Sequence, residues 1–480
     1  MRVGATLAKS YDAVVIGAGP NGLAAAIVLA QAGRSVLVRE ANDAVGGSCR
    51  SAELTLPGFI HDICSTVQAL AVASPFLRSL PLAEHGLELV FPKAPYAHPL
   101  DDGTAAVAYR SLEETAATLG RDGEAWKQLY GPLVRDWEKL VPELLGPFNP
   151  FPKHPLAMAR FGLMALRSAR GLAHTWFDGD PAKALFAGVA AHSILPLDSM
   201  ATSAFGLVLG TSAHAAGWPV AKGGSQKLAD ALASLLRSLG GDIELNARVE
   251  SLDELPPAKA ILCDVTARQL LKLAGSRLPE GYRKHLQAFR YGPGVHKVDW
   301  ALSEPIPWKA AACRDAGTLH LGGTFDELAA SEQAPWEQRY AEKPYVLLVQ
   351  YPFDASRAPA GKQTAWAYCH VPHGGDLDVT DRIEQQVERF APGFKDTIVA
   401  RHVMGPAAME RHNANLIGGD ITGGANMLSQ IFTRPAPRMN PYKTPVKGLY
   451  LCSASTPPGG GVHGMSGYHA AKTALREVLR

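Results

Sequence analysis

Residues 11–50 read YDAVVIGAGPNGLAAAIVLAQAGRSVLVREANDAVGGSCR, and this stretch decides the fold of the chain. The short apolar run Ala13–Ile16 is typical of a buried parallel strand. Glycines follow it in G-x-G-x-x-G spacing, and Leu23–Gln31 is a helix-forming stretch. A second apolar strand is predicted at Ser35–Val38, and Glu40 closes it. This order of elements predicts a nucleotide-binding βαβ unit, with an ordinary glycine-rich turn as the alternative.

Each glycine of this unit, and its acidic residue, has a physical task. Gly17 permits the tight turn out of the strand, and Gly19 lets a diphosphate approach the backbone. Gly22 allows the helix to lie close to the sheet. The amide groups at the helix N-terminus favour negative charge, so they face the phosphates. Glu40 is expected to accept hydrogen bonds from a ribose, and its charge repels a 2′-phosphate.

A second glycine pair distinguishes FAD from NAD. Gly46 and Gly47 follow Glu40 closely in VGGSCRS, with Ser48 next to them. This pair resembles the flavoprotein superfamily that includes amine oxidases and phytoene desaturases, in which it brings backbone against the FAD. A simple NAD dehydrogenase has no such requirement, so the resemblance implies FAD.

Composition limits the functional classes. The chain has 480 residues and a net charge of +2, so nothing in its charge balance indicates nucleic acid. Charged residues make up 19% and apolar residues 47%, which suits a large interior, with room for an apolar cavity. The cysteines form no C-x-x-C pair and no zinc spacing, so we expect no metal site and a reducing, cytoplasmic setting. They are Cys49, Cys64, Cys263, Cys313, Cys369 and Cys452.

Two stretches bear on membranes. Residues 184–221 contain Asp198 as their only Asp, Glu, Lys or Arg, but they are rich in Ala, Ser, Gly and Thr. We therefore predict buried helices that wall a cavity, and no membrane span. Residues 156–173 are amphipathic and contain Arg160, Arg167 and Arg170. An ordinary packed helix with a solvated basic face is favoured there, and a helix lying on an anionic membrane is the alternative.

Residues 56–70, LPGFIHDICSTVQAL, match a segment that passes close to the flavin in those flavoproteins. His61, Asp62, Ser65 and Thr66 are therefore candidates for the rim of the site. The alternative is a helix start capped by Ser65 or Thr66.

The chain then returns to the nucleotide unit at residues 217–253. Gly223 and Gly224 precede a long predicted helix, and a strand is expected at Asp242–Leu245. Another strand is expected to begin at Arg248 and Val249. This segment resembles the return segment of the same flavoproteins, whose valine backbone contacts the adenine. A further buried strand is predicted at 258–265.

Residues 291–417 alternate strands and turns, with a helix at 381–390, and predict the sheet of a substrate domain. Lys297 and Asp299 lie two apart on one predicted strand and share a face. Lys297 is a candidate for contact with the flavin edge or a substrate oxygen, although an exposed strand lysine is the commoner explanation. His296 and His370 have no metal-ligand spacing.

The C-terminal segment KGLYLCSASTPPGGGVHGMSGYHAAKTAL is the second strong pattern. A strand is predicted at 448–452, a glycine-rich loop at 457–464, and a helix from about Met465. A helix start aimed at the flavin ring stabilises the negative charge that reduction creates. His463 in this loop either contacts flavin or substrate, or caps and packs. Candidate flavin contacts here are Ser455, Gly461, Val462, His463 and Met465.

Together these segments resemble the phytoene desaturase-related FAD-dependent oxidoreductases, and among them the branch called pyridine nucleotide-disulfide oxidoreductase domain-containing protein 2. The most specific blocks are NANLIGGDITGGA and CSASTPPGGGVHGMSGYHAA. Carotenoid desaturases carry a loop like GAGTHPGAGIPG, whereas this chain has His463, which places a polyene substrate in question. No cysteine stands where amine oxidases attach flavin covalently, so noncovalent FAD is implied.

The resulting expectation is an α/β fold: a Rossmann-like FAD-binding domain of the two-dinucleotide-binding-domain type with a discontinuous α+β substrate domain. The FAD-binding parts are 1–74, 217–285 and 440–480, a helical cap spans 75–216, and the substrate sheet spans 286–439. The implied activity is oxidation, desaturation or isomerisation of a small, largely apolar substrate by hydride transfer to flavin N5. A flavin amine oxidase and a non-catalytic flavin-binding interaction protein are the alternatives. His463, Lys297 and His61 are the candidate catalytic residues, and peripheral membrane contact is left open.

Overall fold

The computed structural model describes residues 10–480, so residues 1–9 of the predicted first segment lie outside the described part. In that part the strands β1 to β16 are Tyr11–Ile16, Val36–Arg39, Ser51–Ala52, His61–Asp62, Leu89–Val90, Ala94–Pro99, Ala105–Ala108, Val220–Ala221, Asp242–Glu244, Ala258–Cys263, Gly294–Leu302, Ala316–Leu321, Val346–Gln350, Gln363–Val371, Ile398–Met404 and Leu449–Leu451. The α-helices α1 to α18 are Pro20–Gln31, Ala69–Ala73, Leu112–Thr118, Gly123–Arg135, Trp137–Leu144, Pro155–Ala165, Ala169–Trp176, Asp180–Ala190, Ser203–Ala215, Gln226–Ser238, Ala267–Ala274, Glu280–Ala288, Phe325–Gln333, Thr380–Phe390, Phe394–Thr397, Pro406–His412, Leu428–Ile431 and Met465–Glu477.

A five-stranded parallel sheet, in the order β16-β10-β1-β2-β9, contains both strands of the predicted βαβ unit. Its central strand β1 pairs with β2 on one side and β10 on the other, in register Ala13↔Val36 and Ala13↔Ala260. Ala13, Val14 and Val15 are fully buried, as expected for an apolar strand covered on both faces. The predicted βαβ unit and Rossmann-like α/β fold are confirmed.

The first and last helices of this core, α1 and α18, pack directly against each other. Gly467 of α18 lies so close to α1 that a Cβ there would stand 1.8 Å from the carbonyl oxygen of Asn21. Only glycine permits this backbone approach. The contact brings the loop before α18 beside the loop before α1, although the two are more than 400 residues apart in sequence.

The other large sheet has seven strands of mixed direction, in the order β15-β11-β14-β13-β12-β6-β7. Five of its strands come from the predicted segment 286–439. The other two, β6 and β7, come from the stretch predicted to be mainly helical, so that prediction was wrong for residues 94–108. The sequence APYAHP of β6 contains two prolines, which argue against a strand. Strand β6 nevertheless pairs parallel to β12, and Pro95 is not among the residues that pair.

Smaller predictions had mixed outcomes. The strand expected at Arg248 and Val249 does not form, since that segment has no regular structure after β9. The proposed helix cap at Ser65 or Thr66 was also wrong, because α2 begins at Ala69. The helix expected at 381–390 is confirmed as α14.

The uncharged stretch 184–221 forms buried helices, as predicted. Helices α8 and α9 pack against each other, and residues of this stretch line a large cavity. Across residues 10–480, no helix has both the length and the apolar character that crossing a bilayer requires.

Candidate functional site

One large cavity of about 1150 Å³ runs between the parallel sheet, helices α5, α6 and α9, and the mixed sheet. Both glycine-rich loops line it, the first through Gly17 and Gly19 and the last through Gly460 and Gly461. It lies beyond the carboxyl ends of β1, β10 and β16, where open α/β sheets bind their ligands. The two terminal motifs therefore build a single site.

The first loop leads directly into the start of helix α1. Helix α1 begins at Pro20, whose missing N–H costs no hydrogen bond at this position. A Cβ on Gly22 would stand 2.0 Å from the carbonyl oxygen of Gly17, so glycine is required for this turn. The amide of Gly22 donates to Asp264 Oδ2 at 2.9 Å. Gly22 does not line the cavity itself, and it acts by shaping the turn.

Glu40 lies at the end of β2, lines the cavity and is almost fully buried. Its Oε2 accepts from the amide of Ala18 at 2.8 Å, and its Oε1 accepts from the amide of Asn42 at 2.9 Å. Oε1 also accepts from the side-chain amide of Asn42 at 3.0 Å, so these bonds fix the carboxylate while Oε2 keeps a further lone pair. Glu40 is thus positioned to accept hydrogen bonds from a ribose.

The second glycine pair packs onto the first loop. The amide of Gly46 donates to the carbonyl of Ala18 at 2.8 Å. A Cβ on Gly47 would stand 3.1 Å from Cα of Gly19. Gly47 and Ser48 line the cavity, whereas Gly46 supports them from behind.

The return segment contributes unevenly. Val249 lines the cavity together with Arg248 and Glu250, but Gly223 and Gly224 do not. The amide of Gly223 donates to Asp354 Oδ2 at 2.9 Å. This bond connects the loop before α10 to the segment that follows β13.

In the C-terminal loop, His463 is fully buried and lines the cavity with Gly461 and Val462. Its Nδ1 accepts from the amide of Met465 at 3.0 Å, and its Nε2 lies 3.2 Å from the carbonyl of Gly459. Burial lowers the pKa of His463 to about 4 and keeps the ring neutral. Both ring nitrogens therefore hold the loop in shape. Met465 and Ser455 are buried and do not line the cavity; Ser455 Oγ donates to the carbonyl of Gly423 at 2.7 Å.

His61 and Lys297 lie close together, but neither lines the cavity. The explanation of Lys297 as an exposed strand lysine was wrong, because the side chain is 2% exposed. It forms an ion pair with Asp299, and its Nζ stands 4.9 Å from the ring centre of Trp366. His61 Nδ1 lies 3.7 Å from the same carboxylate, and burial lowers the pKa of His61 to about 4. The structure thus places these two candidates in a buried ion-pair cluster and His463 in the cavity wall.

The rim candidates divide between structure and site. Asp62 accepts from Arg357 Nη1 at 2.7 Å and from the amide of Ser225 at 2.7 Å, so it joins three parts of the chain. Ser65 and Thr66 line the cavity, and Thr66 Oγ1 accepts from Trp366 Nε1 at 3.0 Å.

Two groups of cavity residues were not predicted from the sequence. Asp264 follows β10 at the carboxyl edge of the sheet. The sequence placed it inside the predicted strand 258–265, where an acidic residue near the end of an apolar run was a usable signal. The inner wall was predicted only for residues 184–221, since its other side chains come from distant segments. It includes Phe161, Val208, Leu347, Val349, Trp366 and Tyr368. Within residues 10–480, no three His, Cys, Asp or Glu side chains are arranged to hold a metal ion.

The donor set and the size of the cavity fit FAD. A helix start offers amides for a diphosphate, Glu40 offers a carboxylate for a ribose, and the second loop borders the far part. The volume exceeds the roughly 300–1,000 Å³ of most small-ligand pockets, which leaves room for a substrate beside the cofactor.

Comparisons with known proteins agree with this site. Residues 21–272 match the family described as flavin containing amine oxidoreductase. A rat protein named pyridine nucleotide-disulfide oxidoreductase domain-containing protein 2 is 27% identical, covering 98% of this chain and 94% of its own. A limonene dehydrogenase chain of Castellaniella defragrans is 24% identical over 98% of this chain and 95% of its own. The neurosporene-forming phytoene desaturase of Rhodobacter capsulatus is 25% identical over 95% and 92%.

Solved structures share the fold. An oxidoreductase from Methanosarcina mazei matches with a TM-score of 0.64 at 16% identity, covering 98% of this chain and 100% of that one. A double mutant of putrescine oxidase matches with a TM-score of 0.63 at 18% identity, covering 98% and 99%. The family match spans more than half of the chain, and the cavity fits the cofactor of that family. The chain therefore belongs to the flavin containing amine oxidoreductase family and is an FAD-dependent oxidoreductase.

Proposed function

We propose that this enzyme dehydrogenates, desaturates or isomerises a neutral, largely apolar substrate. The observation that carries the proposal is the absence of charged side chains from the inner wall, among the residues that the structure describes. Aromatic and aliphatic side chains cover that wall, including Phe161, Val208, Leu347 and Trp366. An ammonium ion or a carboxylate buried there would lack a partner, which costs several kcal/mol.

The charged residues of the cavity lie elsewhere. Six of the seven belong to the nucleotide end: Arg39, Glu40, Arg248, Glu250, Asp264 and Lys272. The seventh is Glu143, which accepts from the amide of Lys153 at 2.9 Å near the exposed Phe148. The charged side chains of the cavity therefore lie mainly where the cofactor would bind, and the uncharged inner wall would contact the substrate.

His192 contributes an imidazole to the inner wall. Its Nε2 lies 3.1 Å from Nε2 of His320, and burial lowers the pKa of His192 to about 3. The ring is neutral at pH 7, so it adds a polar contact without adding charge.

The bound flavin supplies the hydride acceptor, at N5 of its ring. Gly461 and Val462 would border that ring, and the positive end of α18 follows them. His463 holds this loop rigid through its two backbone contacts. The cofactor-binding residues that we predicted from the sequence remain our proposal. Six of them do not line the cavity and act by supporting the residues that do: Gly22, Gly46, Gly223, Gly224, Ser455 and Met465. The proposed FAD-binding parts remain 1–74, 217–285 and 440–480.

Two relatives support an apolar substrate. One is named for the dehydrogenation of limonene and another for the desaturation of phytoene. Putrescine oxidase, a structural neighbour, supports the fold alone at 18% identity.

The test is anaerobic reduction of the bound flavin by candidate substrates, and the loss of its visible absorbance is the readout. Limonene and phytoene are compared with putrescine and cyclohexylamine, at equal concentrations. We expect reduction by at least one apolar compound and no reduction by the amines. Reduction by the amines with peroxide release in air would assign an amine oxidase instead. A flavin that dithionite reduces, when no compound of a wider apolar panel either reduces it or is isomerised by the protein, would favour a non-catalytic flavin-binding protein.

We also propose peripheral contact of the cavity mouth with a lipid surface. Large apolar side chains stand exposed there: Phe151 is 87% exposed, Leu156 83% and Leu163 78%. Phe148 and Phe432 are exposed, line the cavity and pack their rings 5.3 Å apart. Such a patch around an opening would let a lipophilic substrate enter without crossing water.

Sedimentation with phosphatidylcholine vesicles, with and without phosphatidylserine, tests this contact. We expect L163E to weaken vesicle binding at least fivefold, because a charge replaces an inserted apolar side chain. The matched control L377E changes another exposed leucine away from the cavity lining and should leave binding unchanged. Absence of binding by the native protein to either vesicle would overturn the proposal.

A further inference from the structure

Asp264 places a carboxylate inside the proposed diphosphate site. It follows β10, the strand beside β1, and it lines the cavity. Its Oδ2 accepts from the amide of Gly22 in the first turn of α1. A Cβ on Gly19 would stand 2.8 Å from the same oxygen, so the carboxylate touches the glycine loop. The carboxylate of Asp264 thus lies where the two negative charges of the diphosphate are expected to bind.

The surroundings of Asp264 do not neutralise it. Glu40 adds a negative charge from the end of β2, and burial together with the charge of Asp264 raises the pKa of the nearby thiols of Cys263 and Cys452. Asn415 donates only to its backbone carbonyl, at 3.2 Å. In the described part of the chain, the amide of Gly22 is the one donor to this carboxylate, and no Arg or Lys forms an ion pair with it.

Burial is the main cause that raises the pKa of Asp264 to about 7, and Glu40 raises it further. The amide of Gly22 acts in the opposite direction. The side chain is half-buried and its remaining exposure is in the cavity, so a ligand that fills the cavity removes more water from it. Near neutral pH, Asp264 therefore already exchanges between its charged and neutral forms.

We propose that Asp264 binds the diphosphate of FAD as a neutral carboxylic acid, which donates its proton to a phosphate oxygen. At alkaline pH this proton comes from solvent, so FAD binding takes up one proton. Asp264 is then a cofactor-binding residue that couples flavin affinity to pH. The inference concerns the cofactor alone and does not depend on which substrate the enzyme uses.

The expected pH dependence follows from linkage. When the free protein is ionised and the complex is protonated, affinity falls tenfold per pH unit above the free pKa. With a free pKa of about 7, the Kd for FAD should rise roughly thirtyfold from pH 6 to 8.5. D264N keeps the shape and offers an amide donor without titrating, so its Kd should change less than twofold over the same range.

The experiment titrates FAD into full-length apoprotein by calorimetry, in pairs of buffers with different ionisation enthalpies. We expect uptake of nearly one proton by the native protein at pH 8 and none by D264N. The control D253N removes an exposed carboxylate that does not line the cavity, and it should keep the thirtyfold change. D264L lacks a donor, and it should bind FAD weakly at every pH.

Some outcomes would overturn the inference. Native protein that binds FAD without proton uptake at pH 8 contradicts it directly, and this measurement needs no variant to fold. An unchanged pH slope in D264N would assign the titration to a group other than Asp264. Because both results concern FAD binding, failure here is distinguishable from a wrong substrate class.

Discussion

The two ends of the cavity are built by different means. At the nucleotide end, turns and helix starts such as the one before α1 present backbone groups, and charged side chains cluster around them. At the inner end, side chains from the cap helices and the mixed sheet form an uncharged wall. The first end depends on where glycine allows backbones to approach, and the second depends on side-chain shape and polarity.

This difference teaches where each property of the enzyme is encoded. Cofactor binding is concentrated in short motifs, because a helix start and a tight turn are local structures. Substrate choice is spread over distant segments, because an apolar surface needs many side chains and no particular spacing. Changes at the two ends should therefore have separable effects.

The largest effect is expected where the two terminal motifs meet. G467V places a branched side chain where even a Cβ stands 1.8 Å from the carbonyl oxygen of Asn21. The helices α1 and α18 must separate, which disturbs both loops at once. We expect the Kd for FAD, measured by equilibrium dialysis, to rise more than a hundredfold. The control G281V, at a helical glycine with open space around it and outside the cavity lining, should bind FAD within fivefold of the native protein. Equal affinities of G467V and native protein would contradict the shared-site reasoning.

A smaller effect is expected at the inner wall, where a substitution should slow flavin reduction by the substrate and leave FAD affinity unchanged. V208D introduces a charge into the apolar surface, so reduction of the flavin by an apolar substrate should slow about tenfold, which corresponds to ~1.4 kcal/mol. FAD affinity should stay within twofold, since Val208 lies on α9 and the nucleotide motifs are elsewhere. Stopped-flow reduction measures the rate. V399D, at an exposed strand position, is the matched control and should leave the rate unchanged.

The smallest effect is expected at His463, between the two ends. Its pKa is lowered by burial, so the folded protein resists its protonation while the unfolded chain does not. Its contribution to stability is complete above about pH 6.5 and is lost progressively towards pH 4. Between pH 7 and 5.5 the native protein should lose ~1 kcal/mol more stability than H463Q, measured by urea unfolding at each pH. H154Q, at an exposed histidine, should follow the native protein, and identical slopes for H463Q and native protein would refute this account.

The fold was predictable where sequence and local structure coincide. The strand, glycine turn and helix of residues 11–31 all appear where the pattern placed them, because each depends on neighbouring residues. The buried stretch 184–221 was also interpreted correctly from its composition. Prediction failed for β6, whose prolines are accommodated by pairing with a strand more than 200 residues away.

The site was predictable to a similar degree. Glu40, Gly47, Val249 and Gly461 line the cavity, as their motifs indicated. Lys297 was judged exposed because strand alternation says nothing about what covers each face, and Asp299 and Trp366 bury it.

The sequence alone determined that the chain binds a flavin dinucleotide, since its motifs specify turns and helix starts that work through local backbone geometry. Only the tertiary structure decided that both terminal loops share one cavity, that its inner wall is uncharged, and that Asp264 meets the diphosphate loop. Those features arise from contacts between residues hundreds of positions apart, which packing and burial establish and local pattern does not.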